Sequence, residues 1–253
     1  MRNTQEIKDC SINATDGDIG HADHFYFDDE SWSIRYLVAD TGNWLPGRKV
    51  LISPQSIESV DWETYRLCVG LRKREIEDAP GIDADRPVAR QQEIDYHRYY
   101  GLPPYWVAPG AAGAGIPYGY PEAGEESAPQ EPRERRGDPR LRSTEEVTGY
   151  HIQASDGRIG HVEDFIIDDE NWTIGYVVVD TRDWLPGKKV LLTPGIIERV
   201  DWPERTVYVG VDRQPVRDSP EWDEGGPVTP EYEELLYRHY SSVRGREFGG
   251  RRL

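Results

Sequence analysis

DGDIGHADHFYFDDESWSIRYLVADTGNWLPGRKVLISPQSIESVDW, from Asp16 to Trp62, returns as DGRIGHVEDFIIDDENWTIGYVVVDTRDWLPGKKVLLTPGIIERVDW, from Asp156 to Trp202. A shift of 140 positions superposes the two without a gap and carries on outward, from Arg2 on Arg142 to Tyr100 on Tyr240. About two in five of the superposed pairs are identical. That period is far too long for a solenoid unit, so it implies two complete domains of one fold. The expected division is a first repeat over 1–100, a Pro/Gly/Ala-rich linker over 101–141, a second repeat over 142–240 and a basic tail over 241–253.

Inside the repeated stretch the apolar residues alternate. Ile19–Phe27 and Ile34–Asp40 flank the acidic corner Asp28-Asp29-Glu30, a pattern that predicts a β-hairpin. On the second strand Ile34, Tyr36 and Val38 are expected on one side, Leu37 and Ala39 on the other. WLPG, at Trp44–Gly47 and Trp184–Gly187, signals a turn before a strand over Lys49–Ile52. Ile57–Asp61 and Leu67–Leu71 complete the set, which predicts a small barrel or sandwich. A helix closes each repeat. Thr229-Pro230-Glu231 has the form of a helix start, and Tyr232, Leu235, Leu236, His239 and Tyr240 follow at helical spacing; the matching segment is Arg90–Tyr100. The fold class is therefore mainly β: two small antiparallel barrels, each followed by a short helix. The linker reads as disordered, long enough to let the domains meet or separate. Its Tyr105, Trp106, Tyr118 and Tyr120 form an aromatic patch that is either plain linker or a short binding motif.

The chain carries a net charge of -17, with -7 on 2–100 and -11 on 142–240. Such surfaces repel phosphate backbones and anionic membranes, which argues against nucleic-acid binding through either repeat. Cys10 and Cys68 face Tyr150 and Tyr208 in the second copy, so they read as free thiols rather than a disulfide of the fold. No apolar run is long enough to span a membrane, and the N-terminus lacks a signal-peptide core. A cytoplasmic location is expected.

The repeated motifs offer little that resembles catalysis. DDExW (Asp28–Trp32, Asp168–Trp172) invites a metal, yet adjacent strand residues diverge and turns use Asp for backbone hydrogen bonds, so a hairpin corner is expected. Asp16-Gly17-Asp18 opens like a calcium loop, but Phe27 stands at the closing acid and Arg158 replaces Asp18. His21 and His161 are kept in both copies without a nucleophile at motif spacing, while His24 becomes Asp164. Trp44 and Trp184 either cap a barrel end or mark a contact surface. No catalytic, cofactor or metal set is assigned, and no cofactor is expected. His21, Trp44, His161 and Trp184 remain as candidate interaction residues. The arginines of the linker and tail read as solvated ends.

Taken together, DGxIGxxxDFxxDDExWxIxYxVVDT, WLPGKKVLLxP and IxxVDW resemble the PRC-barrel domain. That fold is shared by the cytoplasmic part of the photosynthetic reaction-centre H subunit and by a ribosome-maturation factor. The resemblance is most specific over 16–70 and 156–210. It implies a strongly bent antiparallel β-barrel used for protein contacts. The expected function is a non-enzymatic tandem module for interaction or regulation, with an unidentified protein partner. A peripheral factor of a photosynthetic or respiratory membrane complex is the alternative, and an enzyme using His21 or His161 between the barrels is a third. The two repeats are expected to pack on each other with pseudo-two-fold symmetry.

Overall fold

The computed structural model describes residues 1–81, 88–106, 140–181, 188–223 and 228–244. The linker over 107–139 and the tail from 245 lie outside them. The first copy begins with β1 (Arg2–Asn3), α1 (Thr4–Lys8) and β2 (Ser11–Ala14). The long β3 (Gly17–Asp28) follows, then β4 (Ile34–Asp40), β5 (Lys49–Ile52), β6 (Ile57–Asp61) and β7 (Arg66–Val69). Two helices end it, α2 (Lys73–Glu77) and α3 (Arg90–Tyr100). The second copy runs β8 (Leu141–Ser143), α4 (Thr144–Val147), β9 (His151–Ala154), β10 (Gly157–Asp168), β11 (Thr173–Asp180) and β12 (Lys189–Leu192). It closes with β13 (Ile197–Asp201), β14 (Thr206–Val209), α5 (Arg213–Asp218) and α6 (Pro230–Arg244).

The described residues are mainly β and form two similar seven-stranded sheets. One follows the order β5-β4-β3-β2-β7-β6, the other β12-β11-β10-β9-β14-β13. Pairing is antiparallel except between β2 and β7 and between β9 and β14, so both sheets are mixed. Among the described residues the closed antiparallel barrel expected from the sequence is not formed. Each path is open, with β5 and β6, or β12 and β13, as unjoined ends.

The seventh strand of each sheet comes from the other copy. β1 pairs with β10, Arg2 opposite Ile167; β8 pairs with β3, Arg142 opposite Phe27. β2 covers one edge of β3 from Gly17 to His21, and β8 takes up that edge again from Tyr26 to Asp28. The hairpin corners then bond across the approximate two-fold axis. The Ile34 N–H donates to the Trp172 carbonyl and the Ile174 N–H to the Trp32 carbonyl, both at 2.8 Å. Trp32 and Trp172 hold left-handed backbones, φ 58° and 53°. The first Asp of each DDE fixes that corner: Asp28 Oδ1 accepts from the Glu30 and Ser31 N–H groups, and Asp168 Oδ1 from those of Glu170 and Asn171. The second Asp reaches over to the other copy. Asp29 meets Arg142 at 3.0 Å, and Asp169 accepts from the Trp62 indole at 3.0 Å. Arg142 in turn covers the Trp202 ring and Arg2 the Trp62 ring, at 3.7 and 4.5 Å.

One hydrophobic core runs through both copies. Phe27 and Phe165 meet in it with ring centroids 5.7 Å apart. Burial orders the strand faces as alternation demands, with one exception. Leu37 and Ala39 enter this core, while Tyr36 and Val38 face the outer layer under α3 with Tyr26, Leu51 and Tyr96. Ile34, expected beside Tyr36, sits in the main core instead. A bulge explains the switch: Tyr26 pairs with Tyr36 but Phe27 pairs with Ile34, so Arg35 is the extra residue. The helices cover the outer faces of their own sheets. The Ser53 N–H donates to Tyr96 of α3 at 2.9 Å, and Tyr176 donates to Glu233 of α6 at 3.3 Å. Cys10 is buried, which pushes its thiol pKa up to about 11; Cys68 is half-buried, and both are free thiols. Among the described residues no helix is long and apolar enough to cross a membrane.

Candidate functional site

Where one copy's short helix meets the other copy's long strand, the fold builds two related junctions. Each has a bulge, between Ala22 and His24 on β3 and between Val162 and Asp164 on β10. The extra residues are Asp23 and Glu163. In a regular strand, neighbours point to opposite faces; a bulge re-aims one of them. Thus Asp23 and His24 meet despite adjacency, His24 Nδ1 lying 2.8 Å from Asp23 Oδ2.

The first junction takes α4 from the second copy. Thr144 Oγ1 accepts from the Phe25 N–H at 3.1 Å, and Glu145 Oε2 lies 3.6 Å from His24 Nδ1. Lys49 closes the cluster, 2.7 Å from Asp23 Oδ2. His24 is 2 % exposed. That burial lowers its pKa from the ordinary imidazole value, against the upward pull of Asp23 and Glu145. Asp23, His24 and Glu145 each offer one ligating atom within a 4.8 Å group. The Lys49 ammonium already occupies the Asp23 oxygen as its cation.

The second junction takes α1 from the first copy and changes the cast. Asp164 stands where His24 stands, Gln5 where Glu145 stands, and Lys8 where Thr148 stands. Thr4 Oγ1 donates to Asp164 Oδ1, and the Phe165 N–H donates to the same oxygen at 2.8 Å. Burial raises the Asp164 pKa above the usual carboxylate value, outweighing the hydrogen bonds and Lys8. Lys189 holds Glu163 at 2.6 Å, as Lys49 holds Asp23.

A pH dependence follows from His24. Its folded pKa is below its unfolded value, so the unfolded chain binds the extra proton first. Stability should fall as pH drops below about 6.5, towards the lowered folded pKa. Thermal unfolding scanned from pH 7 downward is expected to show this slope, flattened in His24→Gln. Asp164 works in the opposite direction and lower window: its raised folded pKa removes stability as pH climbs above about 3.9. An unchanged slope in His24→Gln would contradict the His24 assignment.

The residues singled out from sequence lie elsewhere. His21 is exposed, paired in register with Asp40. His161 is half-buried, its Nε2 3.6 Å from the buried Asp180. They occupy different sheets, each opposite its own aspartate. Trp44 is half-buried against the core, with Lys73 Nζ 4.6 Å above its ring. Trp184 lies outside the described residues, as do Tyr118 and Tyr120.

Tyr105 and Trp106 fold back onto α3. Tyr105 donates to the fully buried Glu93, which also receives Tyr36 at 3.2 Å and pairs with Arg90 at 3.1 Å. His97 Nε2 lies 2.9 Å from the Tyr36 hydroxyl, and Trp106 packs edge-on to His97 with centroids 4.9 Å apart. Burial holds His97 below the ordinary imidazole pKa. These two aromatics tie the start of the linker to its own copy.

Sequence comparison of the copies contained the signal for the junctions. His24 with Glu145, against Asp164 with Gln5 and Lys8, is a coordinated exchange of charge across the repeat. It becomes meaningful only once β1 and β8 are known to cross between sheets. No family model and no curated protein matches the chain.

Proposed function

We propose that the chain is a tandem PRC-barrel-type scaffold acting as a non-enzymatic interaction or regulatory module. One observation carries this reading: the motifs kept in both copies serve the contact between them. DDE, its following tryptophan, and VDW supply corner geometry, crossing ion pairs and arginine–tryptophan stacks. A duplication that preserves its internal interface presents two similar surfaces on one body, which suits bivalent contact with a partner. The open sheet ends support the same reading. β6 and β13 are terminal strands of their sheets, with mostly exposed or half-exposed residues. Terminal strands offer backbone groups for strand addition, and Glu58, Asp61, Glu198 and Asp201 guard them against indiscriminate pairing.

The test is affinity capture with the intact chain under several growth conditions, followed by cross-linking. The expected result is a recurrent partner cross-linked near both β6 and β13. Recovery of no specific partner would overturn the proposal.

A further inference from the structure

Each copy offers the other the same two pieces, a short helix and the bulged stretch of a long strand. A duplicated surface of this kind is self-complementary, so a copy can in principle pair with its like from another chain. Most of the contact does not object. Arg2 and Arg142, Asp29 and Asp169, Trp62 and Trp202, and Thr4 and Thr144 are the same residue types at matching positions. The backbone bonds between the corners join equivalent atoms on both sides. Lys49 on Asp23 and Lys189 on Glu163 are likewise repeated, at 2.7 and 2.6 Å. None of these contacts tells an opposite copy from a like one.

His24 against Asp164, Glu145 against Gln5 and Thr148 against Lys8 do differ, and they change together. In the observed pairing every charge meets a favourable neighbour. Glu145 favours the protonated form of His24, and Lys8 favours the carboxylate of Asp164. Pairing like with like mismatches both. Two second copies would set Asp164 against Glu145, with Thr148 where the Lys8 ammonium stood and Glu163 adding a further carboxyl group. Two first copies would set His24 against Gln5 and Lys8, so that it loses a carboxylate and gains an ammonium. His24 is buried and Asp164 half-buried, where like charges are screened less than on an open surface.

We infer that His24 with Glu145 and Asp164 with Lys8 form a pairing code, by which each copy selects the opposite copy and rejects its like. The two halves of the code act at different pH. Asp164 discriminates at neutral pH through its carboxylate. His24 is surrounded by Asp23, Lys49 and Glu145, and its burial keeps it uncharged there. It rejects Lys8 only as pH falls below about 6.5. The code leaves one freedom: the opposite copy of a neighbouring chain satisfies it as well as the chain's own.

Thermal unfolding of the intact chain at pH 7 tests this with grafts that build a like-with-like contact inside one molecule. Gln5→Glu with Lys8→Thr gives α1 the residues of α4, so Asp164 meets what a second copy of its own repeat would present. The Tm should fall by about 2–4 °C. Gln5 also donates to Asp9 at 3.1 Å, and that bond is lost whatever stands at 164, so the decisive reading is the rescue. Asp164→His alone removes the acceptor of the Thr4 hydroxyl and the Phe165 N–H and should also lower the Tm. Added to the α1 graft, it rebuilds the first junction at the second: Thr4 is free to accept from Phe165 as Thr144 accepts from Phe25. The triple variant should therefore recover most of the loss, although each part alone destabilises. The reciprocal graft, Glu145→Gln with Thr148→Lys, should cost little at pH 7 and progressively more below about pH 6.5, with His24→Asp removing that slope. A triple variant that loses the sum of its parts, an α1 graft as stable as the parent, or a reciprocal graft with the parent's pH profile would each overturn the code.

Discussion

Replacing Phe27 with Ala is expected to lower the stability of both copies together, by about 3–5 kcal/mol. Phe27 is fully buried, stacks on Trp32 at 5.4 Å and meets Phe165 from the other copy at 5.7 Å. Truncation opens a cavity at the approximate two-fold axis, where neither copy can collapse without moving the other. Urea unfolding followed by tryptophan fluorescence should therefore show one transition, displaced to lower urea. Phe165→Ala should act similarly. The double variant should lose less than the sum, because the rings share one contact. Two separate transitions, with only the first copy weakened, would refute a common core.

The second large effect is expected at the glycine of IGH. A Cβ on Gly20 would lie 1.9 Å from the Asp40 carbonyl oxygen, and one on Gly160 2.0 Å from that of Asp180. Both obstacles are backbone of the neighbouring strand, so neither can swing aside. Gly20 also has a φ of 130°, which a side chain opposes. Gly20→Ala and Gly160→Ala should each cost on the order of 3 kcal/mol or more. Gly42→Ala is the comparison. Its φ is 52° with nothing within 4 Å of an added Cβ, so strain alone should cost about 1 kcal/mol. Thermal melts of the three variants should separate them clearly. A Gly160→Ala protein as stable as Gly42→Ala would show that the strands part more easily than the packing implies.

The sequence pattern was clearest wherever a residue's environment was set by its own strand. Ile34–Asp40, Lys49–Ile52 and Ile57–Asp61 form strands over the expected residues, and α3 spans Arg90–Tyr100. Alternation failed at Ile34 because a bulge inserts one residue opposite Tyr26, and bulges leave no mark on hydrophobic period. β1 and β8 escaped notice for a different reason. Two or three residues such as Arg2–Asn3 and Leu141–Ser143 have no period to detect, and their partners lie more than a hundred positions away. DDE was correctly a corner, but nothing local announces that Asp29 and Asp169 reach the other copy. The junctions were obscured by the comparison that revealed the repeat. A change from His24 to Asp164 looks like dispensability until Glu145, Gln5, Thr148 and Lys8 are brought beside it.

Strand exchange also imposes an order on synthesis. When Tyr100 leaves the ribosome, the edge of β3 from Tyr26 to Asp28 still lacks its neighbour. Leu141–Ser143 follow some 40 residues later, a wait of about 2–8 s at common elongation rates. Throughout that interval the nascent first copy shows an unpaired edge beside the apolar Phe27. β1, made first, meanwhile waits for a strand that is translated much later. Adjacent ribosomes on one messenger thus hold complementary halves, and a neighbour's β8 fits the vacant edge as well as the chain's own. Correct pairing in the cell becomes a race between translation speed and the spacing of ribosomes.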